Sequence, residues 1–158
     1  MAKFYSVGVG AGDGSYITLG ALRALEQADI IAVPVKKYGE KSTALEIIRK
    51  EFDTDKKEIS ELEFRMSGDT KIREESRRNS SEKIISALKD GKDVAMITLG
   101  DVSVYSTCTY VHNAVKNAGF ELEIIHGITS FCALSAAAQN EVIPGIISSS
   151  KPAFFTAL

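Results

Sequence analysis

The chain has 158 residues, 44% of them hydrophobic and 25% charged, with 12 Gly, 3 Pro, 2 Cys and no Trp. That length holds one ordinary domain with a sizeable core, and the composition excludes collagen-like, disordered and disulfide-stapled classes. Nineteen Lys and Arg against 21 Asp and Glu leave a net charge of -2, which is no footprint for a nucleic acid or an anionic membrane, so an acidic ligand has to be met by local groups.

Lys3 to Val9 (KFYSVGV) is the first predicted strand, broken by the glycines at 8, 10, 12 and 14. Leu19, Leu22, Leu25 and Ala28 then recur at helical spacing, so Thr18 to Ala28 is a predicted helix, and Ala28 to Val35 (ADIIAVPV) is an apolar second strand. Ser42 is the expected N-cap of a helix from Thr43 to Phe52, where Leu45, Ile48 and Phe52 make one face. Ile59 to Phe64 is a third strand, and Asp69 to Lys89 is a charged helix whose apolar residues crowd at Ile84, Ile85 and Leu88. LKDGKDVAMITLG closes that helix at Gly91 and opens a strand from Asp93 to Leu99; KNAGFELEIIHG closes another at Gly119 and opens one from Phe120 to Ile125.

Helices that feed apolar strands through a single Gly are the βαβ pattern of a parallel sheet covered on both faces. The expected fold is therefore α/β: a three-layer αβα domain over residues 1–140, with a mostly parallel sheet of about five strands. Glu141 to Leu158 (EVIPGIISSSKPAFFTAL) loses the pattern and holds two of the three Pro, as expected of a linker or a disordered tail. The N-terminus has no apolar stretch before a small-residue cleavage site, and no apolar run approaches the ~18 residues of a membrane helix, so a cytoplasmic protein without membrane or nucleic-acid partners is expected. Cys108 and Cys132 lie far apart, and His112 and His126 share no ligand spacing with them, so neither a disulfide framework nor a metal site is expected.

In a parallel α/β sheet, ligands bind beyond the carboxyl ends of the strands. Three loops there can carry chemistry: GVGAGDG (8–14), TLGDVSVYST (98–107) and HGITS (126–130). The first is out of register for a dinucleotide fingerprint. G-x-G-x-x-G meets Asp13 if begun at Gly8 and Ser15 if begun at Gly10, and the second strand ends in Pro34-Val35-Lys36 rather than in a ribose-binding acid. The phosphate-loop pattern fails as well, because Gly91-Lys92 is followed by Asp93 and has no Gly five residues earlier. What remains is a loop of glycines that permits close backbone approach, or simply a tight strand-to-helix turn. In the second loop Gly100 and Asp101 follow a buried strand and precede Ser103, Ser106 and Thr107, a set of amides, a carboxylate and hydroxyls suited to a polar ligand. Asp101 or Ser103 is equally suited to cap the helix that follows.

GVGAGDGSYITLGALRALEQADIIAVP, TLGDVSVYST and HGITSF, in this order and spacing, resemble the tetrapyrrole (corrin and porphyrin) methylase family of S-adenosylmethionine-dependent methyltransferases. The resemblance covers about residues 3–140, and TLGDVSVYST with GITSFCA and PVKKYGEKSTALEIIRKEF resembles the branch that methylates C20 of precorrin-2 or cobalt-precorrin-2 in cobalamin biosynthesis. It implies a homodimer whose S-adenosyl-L-methionine lies in a cleft between an N-terminal and a C-terminal α/β domain, with a tetrapyrrole as substrate. Carried onto this sequence, the cofactor contacts are Gly10, Ala11, Gly12 and Asp13 in the first loop, Gly100, Asp101, Val104, Ser106 and Thr107 in the second, and Thr129 and Ser130 in the third. The family usually has Pro where this chain has Ala11, Val102 and His126, each of which would pre-set the loop backbone. Its members continue into a second domain, so the expectation is that this chain is the first domain of a longer enzyme or a truncated form of one.

Methyl transfer from a sulfonium is an in-line displacement in which the protein supplies orientation and exclusion of water, and no strong base is demanded. Asp101 is the candidate for an electrostatic or proton-accepting role, beside its readings as a cap and a cofactor hydrogen bond. Tyr105 is the second catalytic candidate, on the substrate side, beside a packing role at a helix start; His126 is a loop residue standing in for Pro. Arg65, Lys71, Arg73, Arg77, Arg78 and Lys83 alternate with Asp69, Glu74, Glu75 and Glu82 and read as a solvated helix face with i,i+4 pairs rather than as a carboxylate-binding mouth. Cys108 and Cys132 read as small core residues. Three other readings stay open: a non-catalytic fragment, another corrin-ring methyltransferase of the same family, and a nucleotide-binding α/β domain of unrelated chemistry.

Overall fold

Short side chains decide where the helices begin. Thr18 Oγ1 accepts from the Ala21 N–H at 3.1 Å, Ser42 Oγ from the Leu45 N–H at 3.4 Å and Asp69 Oδ1 from the Lys71 N–H at 2.8 Å, each satisfying a donor that the first helical turn leaves free. The computed structural model describes residues 2–139. Within them the chain runs β1 (Lys3–Gly8), α1 (Leu19–Gln27), β2 (Ile30–Val35), α2 (Thr43–Glu51), β3 (Glu58–Glu63), α3 (Thr70–Lys89), β4 (Val94–Thr98), α4 (Cys108–Asn117), β5 (Glu121–Ile125) and α5 (Ser130–Ala138). A single 3-10 turn, Gly14–Tyr16, precedes α1.

The strands form one sheet in the order β3-β2-β4-β1-β5, with every pairing parallel. Alternate side chains feed two separate cores. Phe4, Ile30, Ala32, Val94 and Met96 pack under Ile84 and Leu88 of α3 and Val111 and Val115 of α4. Tyr5, Val7, Ile31, Val33, Ala95 and Ile97 pack on the opposite face under Ala21, Ala24 and Leu25 of α1 and Ala44 and Ile48 of α2. These are the three expected layers. Right-handed crossovers place α1 and α2, which carry the chain toward β3, on one face, and α3 and α4, which carry it back toward β5, on the other.

The reversal positions the site. β1 is followed by a helix on one face and its neighbour β4 by a helix on the other, so their outgoing loops diverge and leave a crevice at the carboxyl edge. Register brings β5 to the same place: Gly8 pairs with Thr98 on one side, and Val7 with Ile125 on the other.

The expected strands and helices are present, shifted by a residue or two at their ends. One helix was not expected. Ser130–Ala138 has no polar–apolar period, and none of its side chains is buried among the described residues; Phe131 and Leu134 are exposed. The expectation for Cys132 as a core residue is corrected by the same helix, since Cys132 is exposed while Cys108 is buried. The linker or tail expected at 141–158 lies outside the described residues. No helix among the described residues is long and apolar enough to cross a membrane.

Candidate functional site

The three loops singled out in the sequence meet over the end of β1. Val9 N–H donates to the Thr98 carbonyl at 3.0 Å, and Gly10 and Gly100 then exchange both backbone hydrogen bonds, Gly10 N–H to Gly100 O at 3.1 Å and Gly100 N–H to Gly10 O at 2.7 Å. Both glycines have positive φ, +79° and +72°, which turns the two chains apart immediately after they touch. The third loop crosses β1 because there is no side chain in its way: a Cβ on Gly8 would lie 2.7 Å from Gly127 N and 2.8 Å from Gly100 O.

Asp101 ties the second loop to the third. It is buried, with Oδ1 accepting the Ser103 N–H at 2.8 Å and the Ser103 hydroxyl, and Oδ2 accepting the Gly127 N–H at 2.8 Å and His126 Nδ1 at 3.0 Å. Burial alone would push its pKa up. The hydrogen bonds from Ser103, Gly127 and His126 outweigh that and hold the carboxyl below its usual range. Its expected role as a cap of the following helix is corrected: α4 begins at Cys108, and the Cys108 N–H is met at 3.1 Å by Ser106 Oγ instead.

The remaining candidates fall into two groups. Ala11, Gly12 and Asp13 stand at the surface of the first loop; Asp13 accepts the Ser15 N–H at 2.8 Å, which starts the 3-10 turn and lowers the carboxyl pKa. Val104 and Thr107 are half-buried at the crevice wall, and Thr107 makes no capping bond with its hydroxyl. Thr129 and Ser130 stand at the start of α5, where Thr129 Oγ1 accepts the Cys132 N–H at 3.3 Å. Ser106 turns inward: its hydroxyl is buried and donates to Thr98 Oγ1 at 3.3 Å. Tyr105 is not at a helix start. It lies in the left-handed region at φ 50° with its ring fully exposed, which overturns the packing reading and leaves a strained residue at the loop tip.

Beside the crevice, β2 and β4 pair from Ile30–Ala32 to Val94–Met96 and then separate. The gap is a cleft of about 350 Å³ between Pro34, Val35, Ile97 and Thr98, with Lys36 and Lys41 at its rim. Several of the basic residues near α3 are otherwise engaged. Arg65 pairs with Glu63 at 2.7 Å, the Arg77 guanidinium lies 3.5 Å over the Tyr110 ring and Lys83 reaches the Glu61 carbonyl at 3.3 Å. Of the expected i,i+4 pairs, Arg78–Glu82 forms, at 3.8 Å.

Sequence spacing did not reveal the contact between Asp101 and His126, because their strands are separated in the sheet by β1. The available signal was a Gly at or just after the carboxyl end of each of the three strands: Gly8, Gly100 and Gly127.

The chain is similar to known proteins over most of its length. It is 44% identical over 143 residues to a Methanocaldococcus jannaschii protein named as a probable cobalt-precorrin-2 C(20)-methyltransferase, covering 90% of this chain and 60% of that one. It is 32% identical over 137 residues to the cobalt-precorrin-2 C(20)-methyltransferase of Salmonella typhimurium, covering 87% of this chain and 57% of the other. Among solved structures, cobalt precorrin-4 methyltransferase superposes with a TM-score of 0.65 at 25% identity, over 88% of this chain and 51% of that chain. The Thermus thermophilus uroporphyrin-III-C-methyltransferase does so with a TM-score of 0.62 at 25% identity, over 87% and 53%. The chain thus spans between half and two thirds of the length of these relatives. Residues 3–150 match the model of the Tetrapyrrole (Corrin/Porphyrin) Methylases, and the chain belongs to that family.

Proposed function

We propose that this chain serves an S-adenosyl-L-methionine-dependent C-methyltransferase that methylates C20 of precorrin-2 or cobalt-precorrin-2 in cobalamin biosynthesis. The observation that carries the reading is the convergence of the three loops on the Gly10–Gly100 bridge, in a chain 44% identical to a protein of that name.

The residues suit the cofactor in shape and chemistry. A Cβ on Gly100 would enter the space bounded by Ile128 O at 3.9 Å and Thr129 Cα at 4.0 Å, so the missing side chain leaves a shallow cradle between the second and third loops. Backbone groups around Gly10, Ala11, Gly12, Gly100 and Val104, the carboxylate of Asp13 and the hydroxyls of Thr107, Thr129 and Ser130 are the groups that would hold an amino acid and a nucleoside there. The donor, when bound, supplies an electrophilic methyl on a sulfonium. Ser106 and Asp101 then act on the protein itself: Ser106 fixes the start of α4, and Asp101 pins the second loop to the third, so that the cradle is formed before a ligand arrives. Lys36 supplies positive charge at the cleft for a substrate rich in carboxylates, while Lys41, beside Glu40 in the same lining, pairs with Glu46 at 3.9 Å. The apolar side chains of α5 that are exposed among the described residues, Phe131 and Leu134, support the homodimer expected of the same reading, which also implies a cytoplasmic protein.

Isothermal titration of the chain with S-adenosyl-L-methionine tests the cofactor, and incubation with precorrin-2 and methyl-labelled donor tests the reaction. Saturable binding and one labelled methyl at C20 are expected. Absence of binding at millimolar donor would overturn the cofactor assignment, and a label at another ring position would reassign the substrate.

A further inference from the structure

The four hydrogen bonds on Asp101 divide the chemistry between two residues. Both carboxylate oxygens are occupied by donors, so Asp101 is satisfied in its ionised form and is a weak proton acceptor. An ionised carboxylate has only lone pairs to offer, so the His126 Nδ1 facing Oδ2 at 3.0 Å carries the hydrogen. In the neutral ring that leaves the lone pair on Nε2. The His126 side chain is 71% exposed against 6% for Asp101, and no described residue bonds to its Nε2. Its backbone is held as well, since the Thr18 hydroxyl reaches the His126 carbonyl at 3.5 Å. Asp101 is the sole ionisable side chain bonded to the ring among the described residues.

We infer that Asp101 and His126 form a carboxylate–imidazole dyad in which Asp101 positions the ring and Nε2 of His126 accepts the proton released by methyl transfer. The inference rests on the methyltransferase reading above and assigns it a base. C20 of the substrate is a ring-bridging carbon that bears one hydrogen. Its electron pair forms the new bond to the methyl carbon, while the sulfur of the donor keeps the pair of the bond that breaks. C20 then carries both hydrogen and methyl. The C–H pair returns to the ring system and the proton passes to Nε2, making an imidazolium beside the Asp101 carboxylate. The exposed ring then passes the proton to water.

Nitrogen-15 NMR of the histidine rings tests the dyad in the unliganded chain. Recorded at alkaline pH, where the ring is neutral, hydrogen on Nδ1 and a bare Nε2 are expected, whereas an isolated imidazole favours the opposite tautomer. A neutral ring with its hydrogen on Nε2 would overturn the dyad. Turnover tests the base. His126→Asn keeps a donor for Asp101 but has no basic nitrogen, and should lose about 10²–10⁴ in kcat with donor affinity unchanged. His126→Ala should lose as much and regain part of it with added imidazole. Unchanged kcat in His126→Asn would overturn the base while leaving the methyltransferase reading standing. A chain that shows the expected tautomer and transfers no methyl would overturn both the base and that reading, and leave the dyad as a device that positions the loop.

Discussion

Gly127 and Gly100 touch backbone to backbone: a Cβ added to Gly127 would run into the Gly100 carbonyl and the Gly8 backbone, with Gly8 C 2.7 Å away. None of these atoms is the end of a flexible side chain, so the clash can be relieved only by moving a loop or a strand end. We expect Gly127→Ala to lose roughly 2–3 kcal/mol, the upper part of the ~1–3 kcal/mol range of overpacking, because backbone atoms cannot give way. Gly12→Ala is the control. Nothing lies within 4 Å of a Cβ there, and its φ of +86° alone should cost about 1–2 kcal/mol. Urea unfolding of the two variants orders them; equal losses would mean that the glycine contact is not tight.

Asp101→Asn should destabilise the chain in a pH-dependent manner. At pH 7 the loss of charge-assisted bonds, together with an amide NH₂ facing donors, is expected to cost about 1–3 kcal/mol. The folded carboxyl has a lowered pKa, so its contribution is present above the unfolded carboxylate value of about 3.9 and disappears as pH falls through the folded one. The wild-type stability curve should therefore drop below about pH 4, and the Asn variant should lack that part of the drop. Parallel curves would show that Asp101 is not the group responsible.

The layers of this fold are legible in the sequence because β-branched runs alternate with amphipathic helices, and a single Gly closes each unit at Gly91 and Gly119. Buried strands tolerate that reading since both faces are apolar, as the alternation of Phe4 and Tyr5, or of Val94 and Ala95, into opposite cores shows. The loops were legible as loops, yet their mutual contacts were not. Parallel strands that are neighbours in space are far apart in sequence, and Asp101 reaches His126 over an intervening strand. α5 was missed for a different reason: a helix with no side chain buried among the described residues has no reason to show a period.

His112 supplies a second pH-dependent term on the opposite face of the sheet. Its Nε2 lies 2.9 Å from Ser6 Oγ, under α4, and burial, followed by the nearby charge of Lys116, lowers its pKa. A histidine held neutral in the folded state contributes fully above its unfolded value of about 6.5, and its contribution is lost as pH falls toward the folded one. His112→Gln keeps a polar partner for Ser6 and cannot take up a proton. Its stability should vary less than wild type as pH falls below about 6.5, as read by thermal melting across that range. A wild-type curve that is flat in this window would sink the assignment.

The two thiols should separate cleanly by reactivity. Cys108 is buried at the start of α4, where burial pushes the thiol pKa up against the hydrogen bonds of Ser106, Ser6 and Thr98, so it is both shielded and protonated at neutral pH. Cys132 is exposed on α5. A thiol reagent added to the native chain at pH 8 should modify Cys132 within its ordinary solution half-time and leave Cys108 untouched until the chain is unfolded in urea. Peptide mapping of the modified protein identifies the site. Early modification of Cys108 would mean that α4 opens readily, and with it the Ser106 contact that fixes the wall of the crevice; protection of Cys132 would show that its face of α5 is covered in solution.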